Sequence, residues 1–228
     1  MTSSIITQEE VFDTLPIYHK DIQLSHILRG LLPHKNISRE VAQWRRKNVP
    51  FAFPGLLRYL RGRLSGTTNL VGTLSFAIVD PRGNETDFGL ISLDMITDSG
   101  AEYIVNSFLG TAFVSSLRYH GLGSSNATLA VTNTALAAEL ASQYATANTR
   151  TVGSAVVGTT TKKFVTIANT SFSGTVTCAE WGLFSQISTL TGTPVGGYMF
   201  DRATFASQGV LATFAAKTTF TLTVASGL

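Results

Sequence analysis

The sequence predicts a mainly β protein: an antiparallel β-sandwich or barrel of about eight strands with short helices, preceded by a basic, helical and extended N-terminal arm. Three observations lead there. Apolar and polar residues alternate in short runs, as in Phe164-Val165-Thr166-Ile167 and Phe220-Thr221-Leu222-Thr223-Val224. Turn-forming residues separate such runs from Thr67 onward. Charge is sparse and uneven: charged residues are 14% of the 228, against roughly 25% in an ordinary soluble domain. Residues 1–19 carry Glu9, Glu10 and Asp13 and no Lys or Arg, a net −3. Residues 20–63 carry ten basic groups against Asp21 and Glu40, a net +8, and the remainder is −2. The basic balance of the chain belongs wholly to its first third.

In the arm, Leu15-Pro16 is a break. DIQLSHILRGLL, from Asp21, spaces Ile22, Leu24, Ile27, Leu28, Leu31 and Leu32 as one face of a helix that Pro33 stops. Ser38 caps a second helix, SREVAQWRRK, with Val41 and Trp44 on one side. Pro50 and Pro54 bracket a short extended piece, Phe51-Ala52-Phe53, and a third helix follows in PGLLRYLRGRL. Such short pieces cannot bury their apolar stripes alone, so they lie on the β domain or on a partner chain. A boundary near Leu64 to Gly66 divides residues 1–65, a docking region, from an independent β domain over 66–228.

In that domain, NLVGTLSFAIVD and ETDFGLISLDMIT form a hairpin around Asp80-Pro81-Arg82-Gly83-Asn84. Thr97-Asp98-Ser99-Gly100 caps a helix that ends at Gly110. A strand is expected from Phe113 to Tyr119, then SAVVGTT, KKFVTIANTSF, TVTCAEWGLFS, YMFDRATF and TTFTLTVA. Between Arg118 and Leu140 the reading is strand, a tight loop at Gly121-Leu122-Gly123-Ser124-Ser125-Asn126, and a short helix from Asn133 or Thr134. Gly121-Leu122-Gly123 lacks the third glycine of a dinucleotide fingerprint and the Gly-Lys-Ser/Thr of a P-loop, so it reads as a structural turn.

Five short patterns recur in one relationship. They are Arg118-Tyr119-His120-Gly121-Leu122-Gly123 with the downstream Thr134-Ala135-Leu136, Asp87-Phe88-Gly89-Leu90-Ile91-Ser92, Thr149-Arg150, Glu180-Trp181-Gly182-Leu183-Phe184-Ser185-Gln186, and Asp201-Arg202-Ala203. Together they resemble the KYHGxG, TAL, DYGVVS, TRxTG, EhGlFsq and DRs motifs of a family of tailed-bacteriophage virion structural proteins, over about residues 70 to 228. These motifs are structural, so the resemblance implies a place in the virion and no chemistry.

Candidate chemistry is thin. His19, His26, His34 and His120 are scattered, with no zinc-ligand spacing to Cys178. His120 reads as a structural hydrogen-bonding group, Cys178 as a buried small side chain, and Glu180 and Asp201-Arg202 as pairing or capping groups. Asp80, Asp87, Asp94 and Asp98 lie across a hairpin and not in a calcium loop. No cofactor, metal site or enzymatic activity is expected, and no apolar run approaches the ~18 residues of a membrane span. The start lacks a signal-peptide pattern. Arg39, Trp44, Arg45, Arg46, Phe51, Phe53, Arg58, Tyr59 and Arg61 are the candidate partner-docking residues. Docking on acidic protein surfaces is preferred over a plain solvated face, and both over nucleic acid, for which no motif is present. The expected function is a non-enzymatic virion protein, first a capsid decoration (cement) protein on the major capsid protein or other virion subunits, forming homo-oligomers. A neck or tail component comes second. A glycan-binding module using Trp181 and Tyr198 comes third.

Overall fold

The computed structural model describes residues 24–34, 36–64, 70–93, 95–145, 149–157, 163–188 and 197–224. The expected arm over residues 1–19 and the break near residue 65 lie outside them. Among the described residues two helices come first, α1 (Leu24–Leu31) and α2 (Arg39–Leu64). Then follow β1 (Leu70–Val79), β2 (Glu85–Leu93), β3 (Met95–Ile96), α3 (Asp98–Phe108) and β4 (Tyr119–Gly123). The chain ends with β5 (Thr151–Val152), β6 (Ser154–Val157), β7 (Lys163–Ser171), β8 (Val176–Phe184), β9 (Met199–Val210) and β10 (Ala215–Val224). The strands make two open antiparallel sheets of five, ordered β2-β1-β10-β7-β6 and β3-β9-β8-β4-β5. The molecule is a β-sandwich and not a barrel.

Among the described residues ten strands stand where about eight were expected because two runs change sheet midway. ETDFGLISLDMIT supplies β2 to the first sheet and β3 to the second. The run after Thr149 supplies β5 to the second sheet and β6 to the first, with Gly153 between them. At Gly153 a Cβ would meet Thr166 Oγ1 and lie 2.8 Å from His120 Nε2, so only glycine lets the chain cross there. The β1–β2 turn forms as read: Asp80 Oδ1 accepts the Arg82 and Asn84 N–H groups, each at 2.8 Å, and Gly83 takes φ 87°. Thr97 caps α3 by accepting from Gly100 N–H at 3.0 Å, and Gly110 lies just past its end at φ 74°.

The inner faces meet in one core. Phe76 of the first sheet packs on Phe205 of the second at 5.5 Å, and Phe220 stacks on Trp181 at 5.3 Å. Leu74, Ile91, Leu183 and Phe200 fill the space between.

The N-terminal region departs most from the sequence reading. Residues 39–64 form one helix, with Pro50 and Pro54 inside it and no extended break at Phe51-Ala52-Phe53. Proline interrupts a helix by removing an N–H and crowding the carbonyl four residues back. Here the two prolines are four residues apart and both exposed, so the freed carbonyls of Arg46 and Pro50 face solvent. The opposite face supplies the stabilisation: Val41, Trp44, Arg45, Asn48, Ala52, Leu56 and Tyr59 are all buried.

That buried face closes one end of the sandwich. Trp44 Nε1–H donates to Ala206 O at 3.1 Å, and Asn48 Oδ1 accepts Ala206 N–H at 2.9 Å. Side chains of α2 thus satisfy backbone of β9 where the two-residue β3 leaves it without a neighbouring strand. On the other sheet, Asn48 Nδ2 donates to Ile91 O at 2.7 Å and Arg45 Nε to Phe88 O at 2.8 Å. Both carbonyls belong to the edge strand β2, so α2 protects two sheet edges at once. Arg45 Nη1 also donates to Arg29 O (3.0 Å) and Leu32 O (3.2 Å), capping the C-terminus of α1. The approach of the guanidinium needs Gly89, whose φ is +77° in an irregular stretch of the β1–β2 ladder and whose Cβ would collide with Arg45. α1 lays Ile27 and Leu31 against Ala52, Leu56 and Tyr59 of α2 and Val71 and Leu93 of the sheet.

The helices before the charge step thus lie on the β domain, one of the two places expected for them: Val41 and Trp44 belong to the same core cluster as Phe76 and Trp181. Two further corrections concern the middle of the chain. Phe113–Tyr119 is not a strand; it holds a 3₁₀ turn at Val114–Ser116 before β4 begins at Tyr119. TALAAEL is not helical, and the only helical turn nearby is Ala141–Gln143. Its backbone is drawn instead to β4 and β8, an override of helix propensity by long-range partners.

Expressing residues 66–228 alone is expected to give an aggregated product, because the β2 and β9 edges lose their cover; solubility and near-UV circular dichroism check it. Arg45→Met in the full chain strips donors from three carbonyls and is expected to cost about 2–4 kcal/mol in urea unfolding. The exposed Arg46→Met should stay within about 0.5 kcal/mol of the parent.

Candidate functional site

Four of the five motifs meet at the second sheet, where they fasten one loop; Asp87–Ser92 lies on β2 of the first sheet. Residues 124–140 leave β4 and return beside it: Ser124 N–H donates to Ala138 O and Leu140 N–H to Leu122 O, both at 2.9 Å. Glu180, on β8, accepts Ala138 N–H at 2.7 Å and Ala137 N–H at 3.0 Å. Its Oε2 also takes Arg202 Nη2 of β9 at 2.7 Å, in an ion pair with both side chains almost wholly buried. Arg202 Nη1 reaches Asn133 Oδ1 at 2.6 Å. A second pair lies alongside, where Arg150 grips Glu139 bidentately at 2.8 Å for each bond. The Arg150 guanidinium lies 3.4 Å over the Phe184 ring centroid and also donates to Gln186 O at 3.3 Å.

Gly121 and Gly123 are in strand β4 and not in a turn. Their role is room: a Cβ at Gly121 would lie 2.8 Å from Phe184, and one at Gly123 would run into Glu180. Tyr144 closes the loop, its hydroxyl accepting Leu122 N–H at 2.7 Å and donating to Leu122 O at 3.0 Å. Burial, reinforced by the Glu139 carboxylate, raises this phenol well above its ordinary pKa.

His120 is fully buried between the sheets. Nδ1 accepts from Trp181 Nε1–H at 3.1 Å and lies 2.8 Å from Thr218 Oγ1, which leaves Nε2 to donate to Thr166 Oγ1 at 3.1 Å. Burial lowers its pKa to about 3, so the ring is neutral and serves as the structural hydrogen-bonding group expected of it. Cys178 is fully buried and its thiol is pushed up to about 12, as expected of a small core side chain. Glu180 and Arg202 pair and cap, also as expected. Trp181 is fully buried and Tyr198 is half-buried against Tyr103 at 5.2 Å, so neither offers a sugar-stacking platform. Among the described residues no group of three His, Cys, Asp or Glu converges as a metal site; Asp94 lies outside them, and of His19 and of the His26 side chain nothing is described.

The expected docking residues divide into two sets. Trp44, Arg45 and Tyr59 are buried in the chain's own core and are corrected to packing residues, and Phe51 is half-buried against that core. Arg39, Arg46, Phe53, Arg58 and Arg61 are exposed. With Lys47, Pro50, Pro54 and Leu57, which the sequence reading missed, they share the outer face of α2. Spacing by three and four residues from Arg39 to Arg61 carries this face straight through both prolines, and that periodicity was the available signal. Phe53 and Leu57 are 49% and 50% exposed in its middle, flanked by Arg46 and Lys47 on one side and Arg58 and Arg61 on the other. Among the described residues none of these five cations, Arg39 included, is in an ion pair. The arrangement suits an acidic partner with apolar side chains, with the cations setting encounter and register and the apolar strip supplying desolvated area.

Two outcomes follow for the motif cluster. Arg202→Met leaves the Glu180 charge buried without its cation, and chemical denaturation is expected to show a loss of about 3–5 kcal/mol. His120 binds a proton more readily unfolded than folded, so its contribution is complete above pH 6.5 and is lost as pH falls from 6.5 through about 3. His120→Gln should remove that component, narrowing the gap to the parent in unfolding free energy between pH 7 and pH 4 by a few kcal/mol.

The chain matches no protein-family model and no curated protein sequence.

Proposed function

We propose that this chain is a non-enzymatic structural protein of a tailed-bacteriophage virion, and within that class a capsid decoration protein docking on an acidic surface of shell subunits. The observation that carries the docking is the outer face of α2, where Arg46, Lys47, Arg58 and Arg61, in no ion pair among the described residues, flank the exposed Phe53 and Leu57. The virion assignment is supported by the motif resemblance. It is also supported by what the motif residues do: Glu139, Arg150, Glu180 and Arg202 spend their charge on one another and on backbone amides, holding a loop to a sheet. A part that bears load needs such internal fastening and no reactive group.

A second surface favours self-association. Val105, Phe108, Leu109, Phe113 and Val114 are 50–86% exposed around the end of α3, an apolar cluster with no charged residue from Tyr103 to Leu117. Packing of copies through it supports a homo-oligomer, and the same packing in a ring supports the neck or tail reading.

The combined reversal R46E/R58E/R61E is expected to lower incorporation into heads by roughly tenfold or more, the effect of losing about 1.4 kcal/mol or more. Arg82→Glu, exposed in the β1–β2 turn, should leave it unchanged. Unchanged incorporation of the triple variant would sink the α2 docking reading. Labelled protein found only on tails would replace the decoration reading with the neck or tail one.

A further inference from the structure

We propose that two copies of this chain pair about a two-fold axis through the end of α3, so that the unit offered to a partner is a closed dimer carrying two α2 faces. The pairing deepens the self-association reading above and stands without the virion assignment. Phe108 is 86% exposed and Leu109 and Phe113 are each 70% exposed, in one segment with the exposed Val105 and Val114. The inward side of that segment is already filled: Tyr103 and Leu117 belong to the main core, and Ile104 and Ala112 pack against it. The outward side chains are therefore surplus to the packing of a single copy.

The surface is also preformed. Leu109 N–H donates to Val105 O at 3.1 Å and Thr111 N–H to Asn106 O at 2.9 Å, as the chain turns at Gly110. Ser116 N–H closes on Phe113 O at 2.8 Å, and the Tyr103 hydroxyl ties the same carbonyl to α3 at 2.7 Å. A backbone fixed in this way loses little freedom on docking.

Area, charge and number select the occupant. The five exposed side chains present about 500–600 Å², the top of the range for a patch on a monomer. Two such patches face to face remove about 1,000–1,200 Å² from water, the lower edge of a specific interface. No residue from Tyr103 to Leu117 is charged, and the exposed residues bounding the stretch, Glu102 and Arg118, have opposite signs. A second copy thus meets no field of its own sign, whereas the cations on α2 repel their own kind. A ring needs two different matching surfaces on each copy, while a two-fold contact needs one surface that meets itself. Among the described residues no second stretch gathers exposed large apolar side chains so densely. Phe53 and Leu57 lie among cations, Leu70 and Val224 form one cross-strand pair, and the others stand apart along the chain.

The test is sedimentation equilibrium of the full chain from micromolar to sub-millimolar protein. The mass is expected to level at twice that of one chain. F108E/F113E and, independently, L109E/V114E change exposed positions and should each raise the dissociation constant about a hundredfold or more, with an unchanged near-UV circular dichroism spectrum. The pair should persist in 1 M salt and in R46E/R58E/R61E, because screening does not weaken an uncharged contact. A nitroxide on Ser115→Cys then locates the contact. Cys178 is fully buried with its thiol pushed up to about 12, so the label goes to the new cysteine. In a mixture with isotope-enriched, unlabelled copies, the Val105, Phe108 and Leu109 amides of the enriched copies are expected to lose most of their intensity. Broadening of a different surface, or a dimer that survives both double variants, would overturn the pairing. A mass that climbs past two copies discards the two-fold pair and keeps the homo-oligomer; a single-chain mass at every concentration discards both. Incorporation into heads is read separately, so a monomeric virion protein and a dimer foreign to virions are told apart.

Discussion

The position of Arg45 is the constraint on which the rest of the N-terminal region depends. A guanidinium carries five donors in a fixed fork, and this one is 4% exposed with three protein carbonyls as acceptors. One carbonyl belongs to an edge strand and two to the end of α1, so a single side chain ties α1, α2 and β2 together. Burial pulls the guanidinium pKa down and the nearby Asp87 carboxylate pulls it back up. Gly89 is what admits it, since any Cβ there occupies the same space. Two neighbours on α2, Trp44 and Asn48, then bind β9 on the opposite sheet, and the helix becomes the wall of the sandwich.

The second sheet solves a different problem by similar means. A seventeen-residue excursion between β4 and Leu140 has no regular hydrogen-bond ladder of its own, and its backbone groups need partners. Two carboxylates and two guanidiniums provide them, directly or by positioning one another. Buried ion pairs of this kind add little net stability over an apolar substitute, yet breaking one partner is costly. That asymmetry suits a part whose shape must be specified. The acids, arginines and histidine of this cluster, Glu139, Glu180, Arg150, Arg202 and His120, are each hydrogen-bonded within the fold.

The cations of the first third are sorted by this architecture. Arg45 faces inward and is consumed by the fold, while Arg39, Arg46, Lys47, Arg58 and Arg61 face outward and are exposed. Pro50 and Pro54 lie on the wet side of this helix, and Phe53 and Leu57 between the cations are held in the open.

Much of this was legible in the residues. Alternation fixes the inner and outer faces of β7 and β10, because a strand has a period of two and one face is buried. Asp80 and Gly83 specify their turn, Thr97 and Ser38 their caps, through bonds made within a few residues. His120 and the single Cys178 read as structural groups before any coordinate, and both are buried in the core. Whatever depends on contacts far apart in the chain was decided by tertiary structure alone. Local rules end a helix at Pro50, but the line of buried side chains from Val41 to Tyr59, packed on two sheets, carries it through. Local rules make TALAAEL helical, but Glu180, more than forty residues later, takes its amides. Local rules put Arg45 with Arg46 on one charged surface, but a glycine at position 89 and its cramped backbone draw one inward and leave the other outside. Propensity is worth tenths of a kcal/mol per residue, while a satisfied buried donor or a filled core position is worth whole ones, so the distant partner wins wherever the two disagree.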